Sequence, residues 1–344
     1  MKILYGVQGT GNGHLTRSRV MAKHFAEAGA DVTYLFSGRA QNNYFGMEAF
    51  GMKCLYRRGL TFTTDSGKIR YFKTVLDNNL FQMIRDIRKL DVSTFDLIIT
   101  DFEPITAWAG KLAGKPVLGV GHQFAFDHQI PLAGENPVAK LVMKFFAPAG
   151  QGLGLHWHHF NQAILPPIVD TMDLSQDKVP GKVLVYLPFE DHKAVIQLLQ
   201  TLTSYEFYLY VPDANDEEHG NVHVRKTNLT GFQKDLHDTS AVICNSGFEL
   251  VSECLQLGTK VLVKPLNGQM EQLSNAAALR ELNYGSTMPE LNKLTIENWL
   301  KENRSYSSKH YPDVAKAIVQ WVLSGQQGGV QHLASRLWSE PPIL

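Results

Sequence analysis

The chain has 344 residues, more than one hydrophobic core normally accommodates, so we expect two domains. Hydrophobic residues make up 44% of the chain and charged residues 19%, a composition typical of a globular protein and not of a disordered or fibrous one. Lysine plus arginine and aspartate plus glutamate number 33 each, so the overall charge favours no nucleic-acid partner.

The cysteines and the apolar segments indicate the compartment. Cys54, Cys244 and Cys254 are odd in number and form no CxxC pair, which argues against a disulfide framework or a zinc site. The chain enters an apolar strand at its second residue, and we expect no signal peptide. No apolar run reaches the roughly 18 residues that span a bilayer. We therefore expect a cytoplasmic protein.

Strands and helices alternate through the first half of the chain. Continuous apolar runs are typical of strands buried on both faces of a parallel sheet, and they occur at 2–7, 31–38, 95–101 and 115–121. Apolar residues at helical spacing follow the first run. They recur in TVLDNNLFQMIRDIRKL, where Leu76, Leu80, Met83, Ile87 and Leu90 form one stripe. This alternation predicts a doubly wound parallel sheet.

The second half repeats this pattern after an interruption. Residues 123–180 are marked by prolines and aromatic residues, and we interpret them as the crossover between two domains. Strand runs then resume at 182–189 and 240–246. We therefore predict an α/β protein with two facing Rossmann-like domains and a ligand in the cleft between them. The predicted parts are 1–165, 166–310 and a helical end at 311–344 that crosses back to the first domain.

A glycine-rich loop, GTGNGH, separates the first strand from the first helix. Its members are Gly9, Thr10, Gly11, Asn12 and Gly13, followed by His14. Backbone amides and the helix N-terminus would face the cleft here. A phosphate-binding P-loop requires Gly-Lys-Ser/Thr, which the chain lacks, and a dinucleotide loop requires glycine at the position of His14. A tight turn with an incidental histidine is the structural alternative, and an NAD-dependent oxidoreductase is the functional one.

Carboxylates follow a neighbouring strand at the same edge of the predicted sheet. Asp101 ends the run 95–101 and Glu103 lies two residues further on. A carboxylate beside His14 would fix the imidazole tautomer and leave the other ring nitrogen as a general base. We therefore predict that His14, Asp101 and Glu103 form the catalytic group. The alternative is that Asp101 caps the following helix.

The most specific motif is CNSGFELVSECLQLGTKVLVKPLNGQMEQLSNA, residues 244–276. A strand ends, residues 245–247 make a turn, and the first amides of the next helix can bind an anion such as a diphosphate. Glu249 and Glu253 are four residues apart on one helical face, which suits paired sugar hydroxyls. Glu271 and Gln272 begin a further helix as additional hydroxyl-binding candidates. Helix capping explains any one of these residues but explains the set less easily.

This motif resembles the donor-binding signature of GT-B glycosyltransferases. The chain is similar to the peptidoglycan N-acetylglucosaminyltransferase that makes lipid II and to plant and macrolide UDP-glycosyltransferases. GTGNGHLTRS resembles the glycine loop of the peptidoglycan enzyme, and His14 with Asp101 resembles the His–Asp dyad of the UDP-glycosyltransferases. The chain also resembles bacterial and archaeal glycosyltransferase-like proteins that share GxGxGHxxR, SDFEP and NxGFEx₃E.

The resemblance implies a role for each position of the motif. Glu253 matches the acid that holds the donor ribose, and Glu271 and Gln272 match the pair that contacts the donor sugar. Asn245 replaces a histidine that touches the diphosphate in the plant enzymes. Residues 188–190, Pro-Phe-Glu, stand where the peptidoglycan enzyme has a glycine-serine loop. The implied donor site consists of Asn245, Ser246, Gly247, Phe248, Glu249, Glu253, Gln269, Glu271 and Gln272.

The expected chemistry is inverting transfer from a nucleotide-diphosphate sugar, which we expect to be UDP-linked. No DxD pair ends a strand, since Asp213 and Asp216 fall in a polar loop, so we expect no metal and no cofactor besides the donor. Three histidines in HWHHF, at 156, 158 and 159, suggest a metal alternative but have no acidic or cysteine partner nearby.

The acceptor is expected to meet the first domain, and its candidate contacts are Arg17, His122 and Gln123. A glycan, a lipid-linked molecule or a small molecule is compatible with these residues. A basic cluster in the same domain comprises Arg57, Arg58, Lys68, Arg70 and Lys73. With the segment NPVAKLVMKFFAPAG it suggests a peripheral contact at the inner face of the membrane. The alternative is a crossover helix whose lysines extend from a packed surface to water. We expect a monomer or a weak dimer.

Two other functions fit the same donor site. A sugar-nucleotide 2-epimerase of this fold acts on one substrate without an acceptor, so nucleotide diphosphate released only with acceptor present would distinguish a transferase from it. A non-catalytic nucleotide-sugar-binding protein would bind the donor without turnover.

Overall fold

Two sheets of mainly parallel strands organise the chain. The computed structural model describes residues 1–60, 64–65, 68–69, 80–170, 177–212, 214–303 and 307–339. The first sheet has six strands and the second has seven, and a separate two-stranded ribbon pairs β4 (Thr64–Asp65) with β5 (Lys68–Ile69). The two larger sheets confirm the predicted α/β class.

The first sheet is parallel throughout, in the order β3-β2-β1-β6-β7-β8. Its strands are β1 (Lys2–Gln8), β2 (Asp31–Ser37), β3 (Cys54–Tyr56), β6 (Leu97–Asp101), β7 (Val117–Gly121) and β8 (Gln151–Gly154). β1 is central and almost completely buried, which explains its continuous apolar run. Because β1 lies between β2 and β6, the residues that end these strands, Gln8, Ser37 and Asp101, are brought to one edge.

Helices flank this sheet. They are α1 (Asn12–Glu27), α2 (Leu80–Lys89), α3 (Pro104–Leu112) and α4 (Pro137–Phe145). Short 3₁₀ turns occupy residues 41–43, 48–50 and 122–127. α1 stops before Gly29, which has a left-handed φ of 66° and donates its amide to the carbonyl of Ala26, an arrangement that is common for a glycine at a helix C-terminus.

The second sheet has the order β11-β12-β10-β9-β13-β14-β15 and is parallel except at β11. Its strands are β9 (Val179–Tyr186), β10 (Glu206–Val211), β11 (Glu217–His219), β12 (Val222–Lys226), β13 (Thr239–Asn245), β14 (Lys260–Lys264) and β15 (Ser286–Thr287). β13 lies between β9 and β14, so Tyr186, Asn245 and Lys264 end neighbouring strands.

The helices of the second half are α5 (His192–Leu199), α6 (Leu229–Asp238), α7 (Phe248–Gln256), α8 (Met270–Glu281), α9 (Lys293–Lys301), α10 (Val314–Leu323) and α11 (Gly329–Ser339). α10 packs against α1 of the first half. The domain boundaries at 165 and 310 stay predictions. Over the described residues, no helix combines the length and the apolar character needed to cross a membrane.

Six of the described strands have no counterpart in the sequence expectation. β8 lies in the segment interpreted only as a crossover, and the other five do not coincide with a predicted apolar run: β3, β4, β5, β11 and β15. The predicted helix that begins near residue 74 is described from Leu80 onward, and Leu76 of its predicted stripe lies outside the described residues.

Candidate functional site

The glycine loop brings the start of α1 close to the second sheet's helices. Gly9 donates its amide to the carbonyl of Ser37, 2.6 Å away, which ties the loop to β2. α1 begins after Gly11, and no side chain in the described part of the chain caps it. A Cβ atom on Gly13 would lie 2.8 Å from Cγ of Glu249, so glycine is required here for the close approach of α1 and α7.

His14 and Asp101 meet at the carboxyl edge of the first sheet. His14 Nδ1 lies 2.7 Å from Asp101 Oδ1. The carboxylate is fully buried, whereas 14% of the His14 side chain is exposed. Among the described residues, no side chain hydrogen-bonds the other ring nitrogen, Nε2. The arrangement therefore leaves Nε2 as the atom that can meet a substrate.

Arg17 completes the environment of Asp101. Its Nε donates to Asp101 Oδ2 over 2.7 Å, its Nη2 donates to Oδ1, and the Ser18 hydroxyl donates to Oδ2 over 3.1 Å. Burial alone would raise the pKa of Asp101, but the charges of Arg17 and His14 lower it below its usual range. Asp101 is therefore an ionised, fully hydrogen-bonded carboxylate.

Arg17 also reaches across to the second domain. Its Nη1 pairs with Glu249 of α7, and its Nη2 donates to Gln123 Oε1 over 3.3 Å. Burial raises the pKa of Glu249 to about 8, although the guanidinium of Arg17 opposes the rise. One buried arginine thus links the dyad to a residue expected in the donor site.

The guanidinium of Arg17 also affects which tautomer His14 adopts, because Arg17 Nη2 lies 2.7 Å from His14 Nδ1. Nδ1 carries either a proton or a lone pair, so it donates to Asp101 or accepts from Arg17, but not both. Only the first tautomer leaves Nε2 unprotonated, and therefore only that tautomer can act as a base at Nε2.

Glu103 does not join this group. Its carboxylate is fully buried and accepts hydrogen bonds from the amides of Ile105 and Thr106 at the start of α3 and from the Ser37 and Thr106 hydroxyls, at 2.6–2.9 Å. Phe102, with a left-handed φ of 52°, turns the chain between Asp101 and Glu103. This corrects the expectation that Glu103 reaches the cleft, because the carboxylate is used as a helix cap.

The start of α7 has the features of an anion site. Among the described residues, no side chain caps this helix, and a Cβ on Gly247 would meet no atom within 4 Å. Beside it, Asn245 Oδ1 and Ser246 Oγ are buried and have no hydrogen-bond partner among the described residues. Buried polar atoms without partners are uncommon in proteins, and a phosphate group at this helix N-terminus would accept a hydrogen bond from the Ser246 hydroxyl, whereas Asn245 Oδ1 requires a donor.

Two charged residues that the sequence interpretation left without a role adjoin this turn. Lys264, at the end of β14, donates to Glu190 Oε1 over 2.6 Å, and 7% and 9% of the two side chains are exposed. Asn245 Nδ2 donates to Glu190 Oε1 at 3.3 Å and to the Lys264 carbonyl at 3.0 Å. A lysine that follows three apolar residues at the carboxyl end of the strand, in KVLVKPL, was the signal available in the sequence.

The remaining donor candidates fall into two groups. Glu253 accepts from Gln233 Nε2 over 2.9 Å and lines a cavity of about 630 Å³ between α1, α6 and α7. Burial raises the pKa of Glu253 to about 7. Around the start of α8, Gln272 accepts from the Leu266 amide at 2.9 Å, whereas Gln269 Oε1 is buried and without a partner among the described residues.

The candidates on the acceptor side contact the second domain. His122 Nε2 lies 2.7 Å from Asn275 Oδ1, and the His122 ring stacks on the ring of Phe248 with their centres 4.0 Å apart. Gln123 Nε2 donates to Glu271 Oε1 over 3.1 Å. The expected acceptor residues His122 and Gln123 are therefore paired with residues around the start of α8 in the second domain.

The other sequence candidates are placed as follows. Within the described ranges, no cluster of three or more histidine, cysteine or carboxylate side chains has the geometry of a metal site. His156 is buried and accepts from the Trp157 amide. Asp216 accepts from the Lys226 amide over 2.8 Å. Arg70, Lys73, Asp213 and the side chain of Lys68 lie outside the described residues.

Comparison with known proteins assigns the chain to a family and a fold. Residues 1–303 match the family model described as Glycosyl transferase family 1. No curated protein sequence matches the chain.

Solved structures resemble the whole chain. The glycotransferase of kitacinnamycin is 13% identical, with a TM-score of 0.61 and 97% of each chain covered. LpCGTa in complex with UDP is 13% identical, with a TM-score of 0.59 and 98% of each chain covered. MurG of Acinetobacter baumannii is 14% identical, with a TM-score of 0.55, covering 99% of this chain and all of that one. These similarities show that the two sheets form a GT-B fold.

Proposed function

The chain belongs to glycosyl transferase family 1, and from this premise we propose that it transfers a sugar from a UDP-sugar to a hydroxyl group of its acceptor, with inversion and without a metal ion. The observation that carries the proposal is the His14–Asp101 pair, which stands at the edge of the first sheet, with α1 against the N-terminal turn of α7.

The dyad supplies the base. With Nδ1–H donated to ionised Asp101, His14 Nε2 accepts the proton of the acceptor hydroxyl. The hydroxyl oxygen forms a bond to the anomeric carbon while the bond from that carbon to the diphosphate oxygen breaks. A single displacement of this kind inverts the configuration at the anomeric carbon.

The turn at the start of α7 receives the leaving diphosphate. The uncapped amides of α7, the Ser246 hydroxyl and the open space at Gly247 suit a phosphate group. Lys264 lies beside them and can exchange its ion pair with Glu190 for one with the diphosphate. Amides that already point to the developing charge stabilise a leaving group without reorganisation, and Lys264 adds its charge once its ion pair with Glu190 has been exchanged.

Glu253 and the cavity it lines suit the nucleoside. The carboxylate faces a space of about 630 Å³ and is held by Gln233, so it can accept two hydrogen bonds from a ribose diol. The likeness to a structure named as a complex with UDP supports uridine as the base.

A peripheral membrane contact belongs to the same proposal. Val138, Leu141 and Phe145 are exposed on α4 at spacings of three and four residues, which places them on one face. Lys140 and Lys144 lie on the same helix. An exposed apolar stripe edged with lysines supports contact with an anionic membrane surface and, with it, a lipid-linked acceptor.

A ligand screen tests the proposal. Melting temperatures are measured with UDP, other nucleoside diphosphates and a panel of UDP-sugars, since a ligand that binds the native state stabilises it. We expect UDP and at least one UDP-sugar to raise the melting temperature, and Glu253→Gln to reduce that rise while Glu281→Gln, on exposed α8 surface, does not.

Turnover then distinguishes the candidate activities. UDP released only with an acceptor present supports transfer, whereas a 2-epimer formed without an acceptor indicates an epimerase. Binding without either product indicates a non-catalytic protein. No response to any nucleoside diphosphate would contradict the proposed donor site.

A further inference from the structure

A cavity lined by three arginines lies beside the glycine loop. Its volume is about 590 Å³, and it forms where residues 38–41 face residues 56–58 at the carboxyl edge of the first sheet. The amide of Gly38 donates to the carbonyl of Arg58 over 2.9 Å, which holds the two segments together. Neither the dyad nor the donor site described above uses its arginines, Arg39, Arg57 and Arg58.

Arg39 is a partly buried cation that hydrogen-bonds only neutral groups in the described part of the chain. Its Nε donates to the Gly9 carbonyl, and its Nη1 donates to Asn12 Oδ1 at 3.2 Å and to the Asn43 carbonyl at 3.4 Å. Its guanidinium carbon lies 5.3 Å from the centre of the Tyr44 ring. Burial lowers the pKa of Arg39, as expected for a cation that lacks a counter-charge.

The other two arginines add to this charge. Arg57 is half-buried and donates Nη1 to the Tyr56 carbonyl over 2.9 Å, and Arg58 is exposed. None of the three forms an ion pair with a carboxylate of a described residue. Three guanidinium groups around a concave space attract an oxyanion, and the planar fork of arginine matches the geometry of phosphate.

The arginine cavity lies close to the proposed base, His14. Asn12, which Arg39 contacts, precedes His14 by two residues, about 3 Å along the helix axis. Asn12 Nδ2 also donates to Tyr186 Oη of the second domain over 3.2 Å. A molecule bound by these arginines would therefore lie next to both the base and the domain that binds the donor.

We propose that the arginine cavity binds a phosphate group of the acceptor, so that the acceptor is a hydroxyl-bearing molecule that carries a phosphate. That this phosphate belongs to the acceptor rests on the proposed transferase function. The binding of phosphate rests on the cavity and its arginines alone.

Calorimetric titration tests the binding. The protein is first saturated with UDP, which fills the phosphate site at α7, and is then titrated with inorganic phosphate, glucose 1-phosphate or glucose. We expect the two phosphates to bind and glucose not to bind. Arg57→Gln/Arg58→Gln should weaken phosphate binding by about tenfold or more, because charge-assisted bonds to arginine are lost. Arg88→Gln/Lys89→Gln on α2 removes the same charge from the same domain and should leave the affinity unchanged.

Vesicles distinguish the two sources of phosphate. Co-sedimentation is measured with phosphatidylcholine vesicles, with and without a polyprenyl phosphate, for the wild type and for Arg57→Gln/Arg58→Gln. Arginine-dependent binding to the phosphate-bearing vesicles identifies a lipid-linked acceptor, and arginine-dependent binding of glucose 1-phosphate alone identifies a soluble one.

Equal phosphate affinity in the wild type and Arg57→Gln/Arg58→Gln would overturn the inference, as would an equal loss in the α2 control. Arg58→Gln alone, at an exposed position, provides a second variant should the double variant fail to fold. A protein that binds phosphate through these arginines but does not bind UDP would contradict the donor-site proposal and leave this one intact.

Discussion

Arg17 determines the charge balance of the site. Its side chain is 2% exposed and lies between Asp101 and Glu249, which belong to different domains. Burial by itself would lower the pKa of Arg17, but the two carboxylates raise it, so the guanidinium stays protonated. Removing one charged member of such a buried group leaves the remaining charges buried without a counter-charge, which destabilises the folded protein.

A double-mutant cycle tests this balance. Arg17→Gln should lower the free energy of unfolding by about 3–5 kcal/mol, because it leaves Asp101 buried without its cation. Glu249→Gln should cost less, since Asp101 still pairs with Arg17. The double variant should be more stable than the sum of the two losses predicts, with a coupling energy of about 0.5–3 kcal/mol in urea denaturation.

The control for this cycle is the exposed pair Glu297–Lys301 on α9, whose side chains are 2.6 Å apart. Its coupling should be much smaller, because solvent screens exposed charges. Additive effects of the Arg17 and Glu249 substitutions would contradict a shared buried network.

The sequence could predict His14 beside Asp101 but not the place of Glu103. Parallel strands end at one edge, so a residue after β1 and a residue ending β6 are expected near each other. The left-handed backbone at Phe102 could not be expected, because a non-glycine residue rarely adopts it. Nor could the buried pairing of Arg17 be expected in place of the predicted acceptor contact, because its partner Glu249 is 232 positions away.

At the scale of elements, the uncapped start of α7 is the feature most relevant to donor binding. Gly247 has an ordinary φ of −73°, and an added Cβ would meet no atom of the described residues within 4 Å. The backbone conformation therefore does not require glycine at position 247. A phosphate group that approaches the amides of α7 would, however, require the space that a Cβ atom would fill.

Gly247→Ala tests whether the diphosphate occupies this space. We expect the affinity for UDP to fall by about tenfold, equivalent to ~1.4 kcal/mol, because the methyl group would occupy the phosphate position. The melting temperature should change little, since the variant fits the free protein. Calorimetric titration with UDP and a melting curve provide the two measurements.

Gly150→Ala is the matched control, because Gly150 also lacks a left-handed φ and its added Cβ would lie 3.6 Å from the nearest atom, in ordinary contact. This control variant should bind UDP like the wild type. If Gly247→Ala also bound UDP with unchanged affinity, the diphosphate would have to lie elsewhere.

Short strands were the elements that the sequence did not predict, and β8 shows why. Its sequence is QGLG, and a Cβ on Gly154 would lie 2.7 Å from the Ala125 Cα. Packing against the 3₁₀ turn at 122–127 therefore requires glycine, which has a low β-propensity. The long buried strands were predictable because burial on both faces produces an unbroken apolar run.

At the scale of the whole molecule, side chains of one half pair with those of the other. Arg17 pairs with Glu249, Gln123 with Glu271 and His122 with Asn275. No local pattern in the sequence indicates contacts between residues this far apart, although the motifs placed both partners at facing sheet edges. Because Glu249 and Glu271 are engaged in this way, we expect donor binding to require separation of the two halves.

The central claim, that His14 is the base of the transfer reaction, is tested most directly by the rate of UDP release from the bound UDP-sugar in the presence of acceptor. His14→Ala should lower this rate by about 10²–10⁴-fold, the usual effect of losing a general base, with UDP affinity unchanged. His332→Ala, at an exposed position on α11, should release UDP at the wild-type rate. A His14→Ala rate within about threefold of the wild type would contradict the assignment.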